Sequence, residues 1–195
     1  MPKRVDHDVR RGEFADALVR SARVRGLHAT GFREVAAEAG VSVNLVQYYF
    51  PTKEKLLIGG LIHLRALITE RLHRKLAAAA GPAAKARVMI EELLPGDEVS
   101  TDLYRVHAAY AALALTDEAL AAQPQATGPG ELHPELIELV RAAQREGTMK
   151  PGRDPATVAT NLLALTTGLS AYVLAGFHTV EAAKRILDDH FDHGV

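Results

Sequence analysis

Between Ser42 and Pro51 the chain sets out a row of side chains able to read another molecule. Asn44 and Gln47 lie three residues apart, with Val43 and Tyr48 beside them, so in a helix all four share one outward side. Each amide carries a donor and an acceptor together, which is what adenine asks for at its major-groove edge. An aliphatic group such as Val43 suits a thymine methyl. The hydroxyls of Tyr48 and Tyr49 suit phosphate oxygens, although for Tyr49 packing beside Phe50 is the stronger expectation. A plainly solvated helix would carry Lys and Glu in these places. The chemistry on offer is recognition, not bond making.

The flanking residues supply the frame. Phe32, Val35, Ala36 and Ala39 recur at helical spacing, and Gly40 follows where a helix end favours positive φ. Ser42 offers an oxygen to cap the next helix, which directs Val46 and Phe50 inward. Pro51 stops that helix, and Thr52, Lys53 and Glu54 open another. A helix of about two turns is not stable alone. A helix-turn-helix accounts for both the short length and the outward amides, because the first helix braces the second in a major groove. Lys53 sits at a helix start, where its charge opposes the helix dipole, which favours a phosphate partner.

The run GVSVNLVQYYFPTKEKLL, residues 40–57, resembles the signature of the tetracycline-repressor (TetR) family of bacterial regulators. The matching skeleton is Gly40-Val41-Ser42, the aromatic pair before Phe50, Pro51, Lys53-Glu54 and Leu56-Leu57. The resemblance implies an all-α fold of about nine helices. Residues 1–55 would form a three-helix DNA-binding domain, and residues 56–195 an effector-binding and dimerisation domain. It also implies that Val43, Asn44, Leu45, Gln47 and Tyr48 face DNA, with each subunit of a homodimer reading half of a palindromic operator. Arg33, in the first exposed turn of the preceding helix, is a phosphate or base-edge candidate. Two departures stand out. Gly31 replaces a frequent hydroxyl residue, and Gln47 stands where relatives often carry Tyr.

Composition agrees with a regulator in its distribution rather than its total. The net charge is −1, yet residues 1–55 hold ten basic against seven acidic residues, a net of +3, and the remainder thirteen against seventeen, a net of −4. The basic excess lies where phosphate must be bound. Cysteine is absent, which excludes disulfides, thiolate metal sites and a cysteine nucleophile. The N-terminus lacks an apolar signal region, so a cytoplasmic protein is expected. Residues 1–11 read as a polar tail whose Lys3, Arg4, Arg10 and Arg11 can meet phosphates, and residues 13–25 as the first helix.

Beyond residue 54 the pattern is helical throughout. Leu57, Leu61, Leu64, Ile68, Leu72 and Leu76 stripe one long helix, with Gly59-Gly60 near its start as either a flexible point or a place of close packing. Ser100 or Thr101 is expected to cap a later helix, and residues 123–130 read as a Pro/Gly loop. Asp154-Pro155 opens a helix, and no formal charge follows until Glu181. Thr and Asn interrupt that run too often for a membrane span, so it reads as a buried helix. Ala164, Gly168, Ala171 and Ala175 form a small-residue stripe. With Ala183, Ile186 and Leu187 of the last helix they are the expected dimer interface, a four-helix bundle. The C-terminal half, including GTMKPGRDP, resembles the betaine-regulator-like subgroup.

An effector pocket is expected among Leu67, Met89, Tyr104, His107, Tyr110, Leu139, Thr166 and Tyr172, with His107 foremost because a buried imidazole needs a partner. Enzymatic motifs fail. Gly168-Leu169-Ser170-Ala171-Tyr172 is half a nucleophile elbow without its strand, and no phosphate-binding glycine loop occurs. The Asp188–His193 run invites metal, but a solvated terminus explains it. No cofactor and no metal are expected. The function expected is a ligand-released repressor; an activator, a ligand-independent regulator and a helical protein-binding module remain alternatives.

Overall fold

The computed structural model describes residues 2–123 and 132–191, with side chains from residue 7 onward. Among these there are ten α-helices and one short 3-10 turn, and no strand. We label them α1 (Pro2–Arg25), α2 (Phe32–Ala39), α3 (Val43–Tyr49), α4 (Lys53–Leu76), α5 (Pro82–Glu92), α6 (Glu98–Ala114), α7 (Glu118–Ala121), α8 (Leu132–Arg145), α9 (Pro155–Leu174) and α10 (Val180–Asp189). The Pro/Gly loop from residue 124, the side chains of Lys3 and Arg4, and the end of the Asp188–His193 run lie outside the described residues.

The chain divides into two compact units, Met1–Thr69 with Arg105–Gly128, and Glu70–Tyr104 with Pro129–Val195. The division differs from one at residue 55. Residues 56–69 and 105–123 fold with the N-terminal helices, because Leu56, Leu61, Leu64, Tyr110 and Leu120 are buried with Phe14, Leu18 and Phe50.

In the first unit α1 packs on α2 and α3. It starts at Pro2, not near residue 13, so no tail precedes it over residues 7–11. The reason is tertiary. The core stripe of Phe14 and Leu18 continues upstream, where the Arg11 guanidinium lies 5.0 Å over the Phe50 ring and His7 stacks on Tyr49. The glycine pair of α4 marks close packing. A β-carbon on Gly59 would stand 2.5 Å from Phe50 Cε1, and one on Gly60 would stand 2.5 Å from both Leu18 Cδ2 and the Tyr110 hydroxyl.

In the second unit α5, α8 and α9 pack together and α10 lies on α9. Met89, Ile90, Leu136, Val140, Leu162 and Leu187 fill the core. Arg71 and Lys75 pair with the Glu92 carboxylate, whose side chain is only 5% exposed, and Arg71 also reaches Asp97. The α6 cap is Asp97, not Ser100 or Thr101. Ser100 N–H donates to Asp97 Oδ1 at 2.8 Å while Asp97 N–H donates to Ser100 Oγ at 2.9 Å, a reciprocal box. Those hydrogen bonds, with Arg71 beside them, hold the Asp97 carboxyl below its ordinary range.

Helix α9 is long and apolar enough by length and composition to cross a membrane. Val158, Leu162, Leu163, Thr166, Leu169 and Ser170 on it are buried within the second unit.

Candidate nucleic-acid interface

The recognition surface depends on how α3 is anchored. Gly40 takes the left-handed conformation, φ 67°, that closes α2 and turns the chain. Ser42 Oγ accepts the Leu45 N–H at 3.3 Å and caps α3. Val35, Ala36 and Val46 are buried between the helices. At the far end Phe50 turns under α4, and Thr52 Oγ1 accepts the Lys55 N–H at 3.2 Å to open α4. Gly31 leaves α2 with half of a capping box. The Glu34 carboxylate accepts the Gly31 N–H at 3.0 Å, and glycine has no side chain to return the bond.

What this frame leaves outside matches the residues of interest. Arg33, Asn44, Leu45, Gln47, Tyr48 and Lys53 are exposed, while Val43 and Tyr49 are half-buried. Tyr48 is 71% exposed, an unusual position for so large a ring. Tyr49 is held by packing, its ring 5.3 Å from Phe14 and 4.4 Å from His7.

Charged residues brace the frame without covering it. Arg20 on α1 donates to Asp16 and, at 2.9 Å, to Glu38 on α2. Asp16 also meets His63 Nε2 on α4 at 3.2 Å. Burial, and then the Arg20 charge, push the His63 imidazole down from its ordinary value, so this contact is a neutral hydrogen bond at pH 7. Arg10, Glu13, Phe14, Asp16, Arg20 and Glu38 line an open cleft of about 250 Å³ between α1 and α2.

The other expected groups come out less evenly. Of the eight pocket candidates, Leu67, His107 and Tyr110 belong to the first unit, and Met89, Tyr104, Leu139, Thr166 and Tyr172 to the second. Tyr110 is fully buried against Gly60, and burial raises its phenol far above the ordinary value. Met89 lies in the core, and Thr166 returns its hydroxyl to the Leu162 carbonyl at 2.7 Å. Tyr104 is half-buried and donates to the Thr167 carbonyl at 3.2 Å. Tyr172 does not line an interior. It is 53% exposed, with Phe177 and His178 beside its ring.

The dimer candidates also separate. Ala164, Gly168 and Ala171 are exposed on α9 and Ala175 at its C-terminal cap, and Ile186 is exposed on α10. Ala183 and Leu187 instead fill the unit's own core, at 0% and 1% exposure, so they present no outer surface. His7, which the sequence did not single out, and Arg11, expected only as a tail residue able to meet phosphates, matter here. Only their spacing from Phe14, seven and three residues, hinted at a shared helical side.

Residues 15–59 match the model for bacterial regulatory proteins of the tetR family. Residues 82–195 match the BetI-type transcriptional repressor C-terminal domain. The HTH-type transcriptional regulator BetI of Burkholderia lata is 28% identical over 196 residues, covering 98% of this chain and 97% of the relative. The HTH-type transcriptional regulator PksA of Bacillus subtilis is 25% identical over 194 residues, covering 98% and 93%. A solved transcriptional regulator from Saccharomonospora viridis, in complex with choline, superposes with a TM-score of 0.84 at 22% identity, covering 95% of this chain and 97% of that one. Helix-turn-helix frame, outward amides and full-length likeness agree: the chain belongs to the TetR family of transcriptional regulators, DNA-binding proteins rather than enzymes, with a BetI-type C-terminal domain.

Proposed function

We propose that this regulator is a cytoplasmic homodimer that represses transcription from a palindromic operator and leaves it when a small organic molecule binds. The carrying observation is α3, whose exposed residues are amides, Leu45 and a tyrosine on a helix with no charged side chain. In this reading Asn44 and Gln47 address base edges, Val43 and Leu45 meet methyl groups, and Arg33, Tyr48 and Lys53 touch phosphates. Tyr49 contributes by holding the end of α3. Residues 1–55 carry DNA reading, and residues 56–195 carry assembly and response.

The exposed stripe of Ala164, Gly168, Ala171 and Ala175 supports dimerisation, because small side chains let a second copy of α9 come close. Ile186 is the α10 residue left outside to join it. Two recognition helices must sit about 34–36 Å apart to meet successive major grooves. An effector changes that spacing only through its different affinity for the two arrangements. Helix α4, which starts beside the DNA-reading residues and runs about 36 Å, is the proposed link. The choline bound by the Saccharomonospora viridis relative makes choline and related quaternary ammonium compounds the first effectors to test. Tyr104, half-buried in the second unit, is the aromatic group proposed to meet them there.

A mobility shift with the DNA upstream of the chain's own coding sequence tests the reading. Binding that is lost in Gln47→Ala and Tyr48→Ala, with helical content unchanged, supports it. No binding to any duplex at low salt sinks it. A thermal-shift series with choline tests the effector.

A further inference from the structure

Tyr48 poses a problem that the fold answers. An exposed tyrosine at the end of a seven-residue helix has rotamer freedom to lose before its hydroxyl can serve as a fixed contact. Its ring is not alone. Tyr49 stands edge-on to it, with centroids 5.2 Å apart and planes at 82°. His7 of α1 stands edge-on from another side, at 6.3 Å and 63°. The same imidazole stacks on Tyr49 at 4.4 Å, and Tyr49 rests on Phe14 at 5.3 Å. The rings therefore run from the exposed Tyr48, through His7 and Tyr49, to the buried core at Phe14. Edge-to-face and offset pairs at these distances are favourable beyond their area. His7 reaches this place only because α1 begins at Pro2 and Arg11 lies over Phe50 one turn below it.

We propose that His7 is a positioning residue of the DNA interface, which orients Tyr48 for the operator backbone by ring contact and does not itself touch phosphate. The inference rests on the DNA-binding reading above. Its effect passes through the Tyr48 hydroxyl, so the two residues must be energetically coupled in DNA binding.

The test begins with a duplex that the native chain selects from a random 30-base-pair library, and uses that duplex for every variant. Affinities of native, His7→Ala, His7→Phe, Tyr48→Phe and His7→Ala/Tyr48→Phe are measured by fluorescence anisotropy across a salt series. His7→Ala is expected to weaken binding about fivefold, and His7→Phe to stay within about twofold of native, since a ring remains. In the Tyr48→Phe background, His7→Ala should change nothing. The salt slope should not move, because the contact that weakens is that of the neutral Tyr48 hydroxyl and no cation is withdrawn from a phosphate. An equal loss in both backgrounds would mean that His7 only stabilises the fold, and would overturn the proposal. So would a His7→Phe variant as weak as His7→Ala, or a salt slope reduced by about one, which would put His7 on a phosphate. If no duplex is enriched at all, the DNA-binding reading falls first and this one with it.

Discussion

Helices α3 and α9 share one property and differ in everything else. Neither carries a charged residue. Helix α3 has seven residues and exposes amides, Leu45 and an aryl hydroxyl; α9 has twenty and exposes alanine, glycine and threonine along most of its length, with Tyr172 near its end. An exposed helical side without charge asks for a partner, and the residues put in place of charge say which kind. Side chains with paired donors and acceptors suit a partner with hydrogen-bonding edges. Side chains that hardly project suit a partner that must come close. The two helices also get their stability differently. Helix α9 is held by its buried side in the second unit's core, whereas α3 depends on the Ser42 cap and on Val46 and Phe50.

That contrast can be broken experimentally. The largest effect is expected from Gly168→Glu. A β-carbon there meets nothing within 4 Å, and Glu is the better helix former, so the monomer should fold at least as well. In a two-fold interface the change would set two unpaired charges together and weaken dimerisation by several kcal/mol, read by sedimentation as monomer. Gln47→Ala is expected to leave assembly and thermal stability alone and to weaken operator binding by about 1–3 kcal/mol, with relaxed preference at one base pair. Gly60→Ala tests the frame behind α3. The clash with Leu18 and Tyr110 should outweigh the gain in helix propensity and cost about 1–2 kcal/mol in urea unfolding.

A pH effect should follow from His63. Its imidazole titrates lower in the folded protein than in the unfolded chain, through burial and then Arg20. The contribution is full above the unfolded value of about 6.5 and is lost as pH falls through the lower folded value. Melting temperature should therefore drop on acidification from pH 7 towards 5, and His63→Gln should flatten that drop. The smallest effect is expected from Gly31→Ser. The site has ordinary φ and room beside Glu34, so a hydroxyl should complete the capping box and stabilise by a few tenths of a kcal/mol. It should also tighten DNA binding if the position faces phosphate.

The same contrast shows what could be seen before any coordinates. Helix α3 was legible because its boundaries are local. Gly40, Ser42, Pro51 and Thr52 each act within a few residues of themselves. The start of α1 was hidden, since the polar run from Lys3 to Arg11 becomes helical through contacts with Tyr49 and Phe50, some forty residues away. The α6 cap was missed by three residues because Asp97 and Ser100 both qualify, and only the reciprocal bonds decide. Apolar spacing said that Ala183 and Leu187 are buried but not by what, and the chain's own core turned out to cover them. Tyr172 failed as an interior residue for the converse reason. An aromatic group on a helix without charge need not face inward when another exposed ring, Phe177, keeps it company.

The glycine pair of α4 has a mechanical consequence. Consecutive positions on a helix point about 100° apart around its axis. Gly59 is notched for Phe50, and Gly60 for Leu18 and Tyr110, so the helix is keyed in two directions at once. A rod keyed in this way cannot spin in its seat without driving a backbone into a ring. A signal carried along α4, as proposed above, would then travel as tilt of the helix rather than as rotation within its seat.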